Sequence, residues 1–527
     1  IYSRCSGFNN WRLNRIMEIR LVAILFCLGT ANSAHILMMT LGGTKSHKVP
    51  FLALGQGLVS RGHQVTLVSA FPQDTNSPVD EVSPLGLVLY VRNFTNWDLL
   101  GPKLRGEEAV PLIDVIRYSY QVCDAFYSTP EARVLLSRKI DLLVLDGAYP
   151  ECLLGLVHHF GVPFIYLNTV AFYTTHLSLA GNPAMFSVTP YMDYPHSDRM
   201  DFWERSKNGF FHILSRGVLI FAIKFLVEPV IRQNLGDGVP PVHSIGKNVS
   251  LILQHGHHSV TYPRPLLPGV VEVACLHCRP PRPLSEDLET FVTGGNKKGF
   301  VYVSFGTSVK TTQMPEIMRV LMVKVFSELP YQVLWKYEEE GDTMPDLPNN
   351  VRLSRWLPQQ DLLGHPKIRA FVSHGGLHGV MESIYHAVPT VNLPVFCDQA
   401  ANSFKAKREE ISITLNIRDL NIETFLAAIN RVINDKSYKK NVEYRSLLLR
   451  DQPQPPLDRA LYWVEYVLRH QGAPHLQSAA KDLSFIQYFM LDTIAAALVA
   501  FYVLVLVMRI VWRKSFGRRK FKNLKRE

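Results

Sequence analysis

The densest chemistry in the chain lies between Trp356 and Asn402. It runs Trp356-Leu-Pro-Gln359, then His374-Gly375-Gly376-Leu-His378-Gly-Val-Met-Glu382, and ends Asp398-Gln399. A strand pattern runs out at Ser373, and a helix pattern starts after the two glycines. A helix start carries unpaired backbone N–H groups and partial positive charge, and glycine lets an anion come close to them. His374 adds a donor at the same mouth. Glu382 shares a helix face with His378 four residues earlier, and its carboxylate suits the hydroxyls of a ribose. Trp356 and Gln359 can stack on and hydrogen-bond a planar base. Asp398 and Gln399 offer paired groups for sugar hydroxyls. Thr307 and Ser308, after Gly306 at another strand end, form a second small-residue loop that could meet phosphate. Taken singly, each feature has an ordinary use: a lone Trp is usually core, and Gly-Gly is usually a turn. Their order and spacing together are far more specific.

A hydroxyl nucleophile needs a base to take its proton. His47 stands in the loop Gly42-Gly43-Thr44-Lys45-Ser46-His47, at the carboxyl end of the apolar run His35–Thr40. Asp146 ends the run Leu142-Leu-Val-Leu145. A carboxylate can fix an imidazole tautomer and stabilise the imidazolium that forms. From the residues alone, His47 reads more simply as a solvated loop histidine and Asp146 as a helix cap.

These groups need a scaffold, and the chain alternates apolar strands with helical stretches. His35–Thr40, Gln64–Ser69, Asp141–Leu145 and Pro163–Asn168 read as strands, with helices over Val49–Ser60 and Cys152–His159. After Pro280-Pro281-Arg282-Pro283 the pattern restarts with strands Gly299–Phe305, Gln332–Lys336, Val351–Leu353, Ala370–Ser373 and Thr390–Leu393, and a helix Pro315–Glu328. This is βαβ repetition and predicts parallel sheets in an α/β fold. Two Rossmann-like lobes are expected, 35–280 and 284–455, with ligands in the cleft outside the strand ends. Residues 456–484 are expected to return as helices to the first lobe. No GxGxxG or GxxxxGK[ST] occurs, so a standard dinucleotide or P-loop site is not supported.

The net charge of +11 sits at the ends. Residues 1–20 carry +3 and residues 509–527 carry +8, which leaves 43 basic and 43 acidic residues between them. A body without excess charge does not attract a phosphate backbone, so nucleic acid is excluded as a partner. Met17, Arg20, the apolar run Leu21–Leu28 and the small residues Ala31-Asn-Ser-Ala34 read as a secretory signal within 1–34, with Ile1–Ile16 as upstream sequence. Thr493–Trp512 is twenty residues with one charge, Arg509. Such a helix covers about 30 Å, the thickness of a hydrocarbon core. The basic tail 513–527 marks the cytosolic side. The expected product is a type I protein with its mass lumenal, and sequons at Asn93 and Asn248 fit that side of the membrane. Of the cysteines remaining after the leader, Cys123, Cys152, Cys275, Cys278 and Cys397 are too sparse and uneven for a disulfide scaffold. The Cys275-Leu-His-Cys278 pair lacks a second pair for zinc, with only His255, His257 and His258 nearby, so ordinary loop and core roles are expected.

The segment Trp356–Gln399 resembles the signature of the UDP-glycosyltransferase family, especially the animal microsomal UDP-glucuronosyltransferases and their invertebrate relatives. Tyr262-Pro-Arg-Pro265, Pro268 and Leu276-His-Cys278 are also similar to that family, as are the leader, the membrane helix and the tail. The resemblance covers essentially Met17 to the end. It implies a GT-B fold with the nucleotide sugar on the second lobe and the acceptor on the first. It implies Trp356 on uracil, Gln359 and Glu382 on ribose, and His374, Gly376, Thr307 and Ser308 at the pyrophosphate. Asp398 and Gln399 are then on the sugar, with His47 as base and Asp146 as its partner. Three positions depart from the pattern: His378 replaces a common Asn, Thr307 replaces a common Ser, and Lys405–Ile413 lacks the usual Gly. The implied reaction is metal-independent displacement on a UDP-sugar, UDP-glucose or UDP-glucuronate, with no cofactor, in the endoplasmic reticulum membrane. Implied partners are a small lipophilic acceptor and membrane lipid, with homo-oligomer formation left open. Asp98–Tyr127 and Phe172–Lys224 are expected to line the acceptor pocket. A second class remains open: a membrane-anchored binding protein that keeps the fold without turnover.

Overall fold

The computed structural model describes residues 33–523 apart from 73–76, 149–150, 171–174, 193, 295–297, 339–343 and 345. The leader and the last residues of the tail lie outside the described residues. Two all-parallel sheets organise the chain. The first contains β1 (His35–Thr40), β2 (Gln64–Ser69), β3 (Asp80–Val82), β4 (Leu142–Asp146), β5 (Phe164–Asn168), β6 (Leu251–Gln254) and β7 (Val270–Glu272). Its order is β3-β2-β1-β4-β5-β6-β7. The second contains β8 (Phe300–Ser304), β9 (Gln332–Lys336), β10 (Val351–Ser354), β11 (Ile368–Ser373), β12 (Thr390–Asn392) and β13 (Ser412–Thr414), in the order β10-β9-β8-β11-β12-β13.

Strands of such sheets are apolar on both faces because helices cover both sides. Successive residues therefore feed two different cores. In the first sheet Leu37, Met39, Leu143 and Leu145 pack on one side, and Ile36, Met38, Leu142 and Val144 on the other. In the second, Val301, Val303 and Trp335 pack on one side, and Phe300, Tyr302 and Leu334 on the other. Each fully buried Leu, Val or Phe contributes about 1.5–3 kcal/mol.

Packed contacts bind the lobes. The Pro456–Arg469 helix returns to the first lobe, where Leu461 and Val464 pack with Leu54 and Leu58 of the Lys45–Ser60 helix. Arg61 pairs with Glu465 at 3.0 Å beside that contact. An arm of the first lobe reaches the second: Leu99, Leu100 and Ala109 join the core of Val309, Met314 and Ile417. Part of the Asp98–Tyr127 stretch expected at an acceptor pocket is therefore interlobe core. The Leu112–Tyr127 helix likewise buries Tyr118, Val122 and Phe126 in the first lobe.

The cysteines differ from expectation. Cys123 pairs with Cys152, and Cys275 pairs with Cys278, leaving Cys397 as a free cysteine. Two described helices, not one, are long and apolar enough to cross a membrane: Leu491–Ser515 and Phe202–Leu235. The second exposes Phe202, Trp203, Phe210, Ile213, Ile220, Phe221 and Phe225 on its surface. This part of the Phe172–Lys224 stretch thus turns its large side chains outward.

Candidate active site

In an open parallel sheet, ligands bind where the strand order reverses. The first sheet reverses between β1 and β4, and the second between β8 and β11. His47 follows β1 and Asp146 ends β4, whereas Gly306 follows β8 and His374 follows β11. Both switch points are thus furnished with the residues singled out above.

His47 is not in a loop. The helix begins at Lys45, capped by an extended Thr44, so His47 lies in its first turn. Its Nδ1 stands 2.8 Å from Asp146 Oδ2. The buried carboxylate also accepts from Thr40 Oγ1 at 2.8 Å, Thr169 Oγ1 at 2.9 Å and the Ala148 N–H at 3.0 Å. An ionised carboxylate only accepts, so Nδ1 donates and Nε2 is left for chemistry. Gly42 makes room for this pair: a Cβ there would fall 2.7 Å from His47 Nδ1. Burial works against protonation of His47. The charge and hydrogen bond of Asp146, with a further push from Asp398, outweigh it and raise the pKa above the ordinary 6.5.

Asp398, the source of that further push, stands at the start of the Gln399–Arg408 helix in the other lobe. Its Oδ2 accepts from Asn402 Nδ2 at 2.8 Å. Burial lifts its pKa above the ordinary 3.8, while Asn402 and the charge of His47 pull the other way. Gln399 is bound into the loop before it: Oε1 accepts from Val395 N at 2.9 Å and Phe396 N at 3.2 Å. Only its amide nitrogen remains uncommitted to that loop.

His374 is wedged between two glycines. A Cβ on Gly306 would fall 2.6 Å from its Cε1, and one on Gly376 would fall 2.5 Å from its Nε2. Burial, then the charge of Lys336, pulls its pKa down to about 4. At neutral pH it is an uncharged N–H donor. Its Nδ1 is buried and finds no hydrogen-bond partner among the described residues. Gly375 turns the chain at φ +78, and Gly376 caps the Leu377–Tyr385 helix with no side chain on its N–H groups. Thr307 is exposed and Ser308 half-buried in the adjoining turn. These donors stand at the carboxyl ends of β8 and β11, beside the start of the Leu377–Tyr385 helix.

Trp356 is 60% exposed, and Lys45 Nζ of the first lobe lies 4.5 Å from its ring centre. Gln359 accepts from Tyr302 OH at 3.1 Å and donates to Glu382 Oε2 at 2.6 Å. His378 does not join Glu382 at the mouth. It is half-buried against His255, with Nε2 and Nδ1 3.3 Å apart, and its pKa is far below 6.5 because of desolvation and the neighbouring histidines. Among the described residues no three His, Cys, Asp or Glu groups are arranged to hold a metal ion.

A family model described as UDP-glucoronosyl and UDP-glucosyl transferase matches residues 111–526. The chain belongs to this family. It is 30% identical to "UDP-glucosyltransferase 2" of Dactylopius coccus, over 97% of this chain and 99% of that protein. It is 32% identical to the 2-hydroxyacylsphingosine 1-beta-galactosyltransferase of Mus musculus, over 92% of this chain and 90% of that protein. The human UDP-glucuronosyltransferase 2B7 is 30% identical over 96% of this chain and 98% of that protein. Among solved structures, the calicheamicin glycosyltransferase CalG4 superposes with a TM-score of 0.54 at 18% identity, covering 83% of this chain and 99% of that one. The fold of this UDP-glycosyltransferase is thus of the GT-B type.

In the transferase, His47 and Asp146 stand at the switch point of the first sheet and His374 and Gly376 at that of the second, with Gln359 hydrogen-bonded to Glu382 and Lys45 over Trp356 joining the two lobes. Reasoning from the sequence missed Thr40, Thr169, Lys45, Lys336 and His277. None carries a spacing signal. Each reaches the site only through the fold, as His277 does by touching Glu382 across 105 residues of chain.

Proposed function

We propose that the chain is an inverting UDP-glycosyltransferase, moving a hexosyl or glucuronosyl group from a UDP-sugar to a hydroxyl of a small lipophilic acceptor. The acceptor O–H gives its proton to His47 Nε2 while the oxygen attacks the anomeric carbon. The bond to the diphosphate breaks, giving a β-glycoside and UDP from an α-linked donor. Asp146 holds the imidazole by Nδ1 and stabilises the imidazolium. Charge developing on the leaving diphosphate meets the uncapped N–H groups after Gly376 and the donor of His374. Trp356 stacks the uracil, Gln359 and Glu382 meet the ribose, Thr307 and Ser308 meet the phosphates, and Asp398 and Gln399 hold the sugar. No step is routed through a metal or cofactor. Of the two donors, UDP-glucose is favoured slightly, since His378 departs from the glucuronosyltransferase pattern.

One observation carries the proposal: His47 Nδ1 stands 2.8 Å from the buried Asp146 carboxylate at the switch point of the first sheet, which leaves Nε2 to take a proton. The test is the anomer formed by full-length protein from α-linked UDP-glucose or UDP-glucuronate and a simple phenol, read by proton NMR. A β-glycoside is expected, and an α-glycoside would overturn the displacement.

The same proposal includes a lipid surface. Leu491–Ser515 supports anchoring, in the endoplasmic reticulum with the lobes lumenal. The apolar face of Phe202–Leu235 supports a second contact with that bilayer. Arg216 of this helix donates to Ser178 at 2.6 Å, and Gly181 close by packs on the backbone of Ala480 and Lys481. Lys481 is ten residues ahead of Leu491 in the chain. Trp and Phe beside Lys207 and Lys224 suit a helix lying in the headgroup region.

A further inference from the structure

The linker between the lobes is stitched onto the candidate nucleotide site. Arg279 grips Asp361 with two hydrogen bonds, at 2.5 and 2.9 Å. The Arg282 N–H donates to the same carboxylate at 2.7 Å. The Arg279 N–H donates to Gln360 Oε1 at 2.9 Å, and Gln360 Nε2 donates to the His277 carbonyl at 3.2 Å. Asp361 and Gln360 belong to the short helix Gln359–Leu363, which starts with Gln359.

From this stretch the His277 side chain reaches Glu382. Its Nε2 stands 3.1 Å from Glu382 Oε1, and both side chains are almost fully buried, at 2% and 7% exposure. The other oxygen of Glu382 accepts from Gln359, and Gln359 in turn accepts from Tyr302. The carboxylate is thus held at both oxygens, one from the linker and one from the second lobe.

His277 is itself held. Cys275 and Cys278 are disulfide-bonded around it, and the Cys278 N–H donates to the Cys275 carbonyl at 2.8 Å. Cys275 adopts φ +63, a conformation that a side chain rarely takes, so the turn is fixed by its surroundings. Leu276 is buried in the first lobe's core at 2% exposure. One neighbour is therefore pinned in the first lobe while the imidazole reaches the second.

We propose that His277 is a positioning residue for the nucleotide ribose, orienting the Glu382 carboxylate, and that the Cys275–Cys278 bridge holds it there. The inference rests on Glu382 and Gln359 meeting the ribose. A buried carboxylate stripped of one donor loses its fixed orientation and keeps an unsatisfied oxygen. The loss falls on the hydroxyls that Glu382 accepts from. It spares base stacking on Trp356 and the phosphate donors near His374.

Calorimetry on full-length protein in detergent, with UDP and with 2′-deoxy-UDP, separates these contributions. The wild type binds UDP more tightly than the deoxy ligand. In His277→Ala, UDP affinity falls about tenfold, as loss of one such hydrogen bond predicts, and deoxy affinity changes less than threefold. His277→Gln, which restores an N–H donor, recovers most of the discrimination. Cys275→Ser with Cys278→Ser loses part of it. In turnover, His277→Ala raises KM for the UDP-sugar with kcat within threefold. Equal weakening of both ligands would mean a merely structural role and would overturn the inference, as would unchanged UDP affinity. If His277→Ala does not fold, His277→Leu, which fills the space without a donor for Glu382, decides: loss of discrimination with deoxy affinity within threefold supports the assignment, and equal loss on both ligands or unchanged UDP affinity rejects it. A wild type without UDP affinity would reject the nucleotide-sugar reading itself, a distinct result.

Discussion

Lys45 Nζ lies 4.5 Å from the centre of the Trp356 indole, joining the helix of His47 to the loop proposed to stack uracil. The two lobes therefore touch here, two residues from His47, the proposed base. Stacking is worth about 1–3 kcal/mol per base, and an exposed cation–π contact about 0.5–1 kcal/mol. Trp356→Ala should weaken UDP binding by about 5–150-fold. Lys45→Met should change it by about fivefold or less. Fluorescence titration with UDP measures both, and a larger effect from Lys45 would remove uracil from Trp356.

The histidine–carboxylate pair predicts a pH profile. The base must be neutral to accept a proton, and its pKa is raised by Asp146 against the effect of burial. Activity is therefore present above the raised pKa and lost as pH falls through it. The acidic limb of kcat/KM should have its midpoint above 6.5. Asp146→Asn removes the raising charge, so the limb should move to lower pH. The rate at pH 8 should fall by about 10²–10⁴ because the tautomer is no longer held. A limb that stays in place in Asp146→Asn would show that another group titrates.

Gly42 offers a steric probe of the same pair. A Cβ at this position would fall 2.7 Å from His47 Nδ1 and 3.3 Å from Asp146 Oδ2. Gly42→Ala should displace the imidazole and lower kcat by about 10², the cost of roughly 1 Å of misplacement. UDP affinity should hold, since the donor wall is untouched. A variant with normal kcat would mean that the imidazole position does not matter to turnover.

His374 tests the anion site independently. It is a neutral donor at pH 7 because burial and Lys336 pull its pKa to about 4. His374→Ala removes one donor at the proposed diphosphate, which costs about 10²–10³ in kcat by analogy with an oxyanion-hole donor. A smaller donor loss is expected in His374→Gln. Turnover by His374→Ala within threefold of wild type would move the diphosphate elsewhere.

The outward face of the Phe202–Leu235 helix predicts lipid contact. Trp203 is 76% exposed. In proteoliposomes of full-length protein, brominated phosphatidylcholine should quench a tryptophan signal that is absent in Trp203→Phe. Quenching of that signal by aqueous iodide instead would leave the face in water, and shielding from both would point to a second copy of the chain.

Much of the scaffold was legible because buried parallel strands read as unbroken apolar runs. Leu142–Asp146 and Phe300–Ser304 are strands within a residue or so of where the pattern put them. His47 reads as a loop residue because Gly42-Gly43-Thr44 reads as a loop and the helical spacing starts at Val49. The helix begins at Lys45 and carries Pro50 inside. The disulfides were not legible, since Cys123 and Cys152 meet only when a helix packs beside the turn after β4. Nor was the outward face of Phe202–Leu235, whose apolar residues match those of a core helix until burial is known. His378 shares a face with Glu382 by spacing, yet its ring packs on His255 and His277.

The most direct test of sugar transfer by this cleft is UDP release from full-length protein supplied with UDP-glucose or UDP-glucuronate and a simple phenol. Release by the wild type with at least one donor, abolished in His47→Ala with UDP affinity unchanged, is the predicted result. Tight UDP binding without release by the wild type, or equal release from His47→Ala, would contradict it.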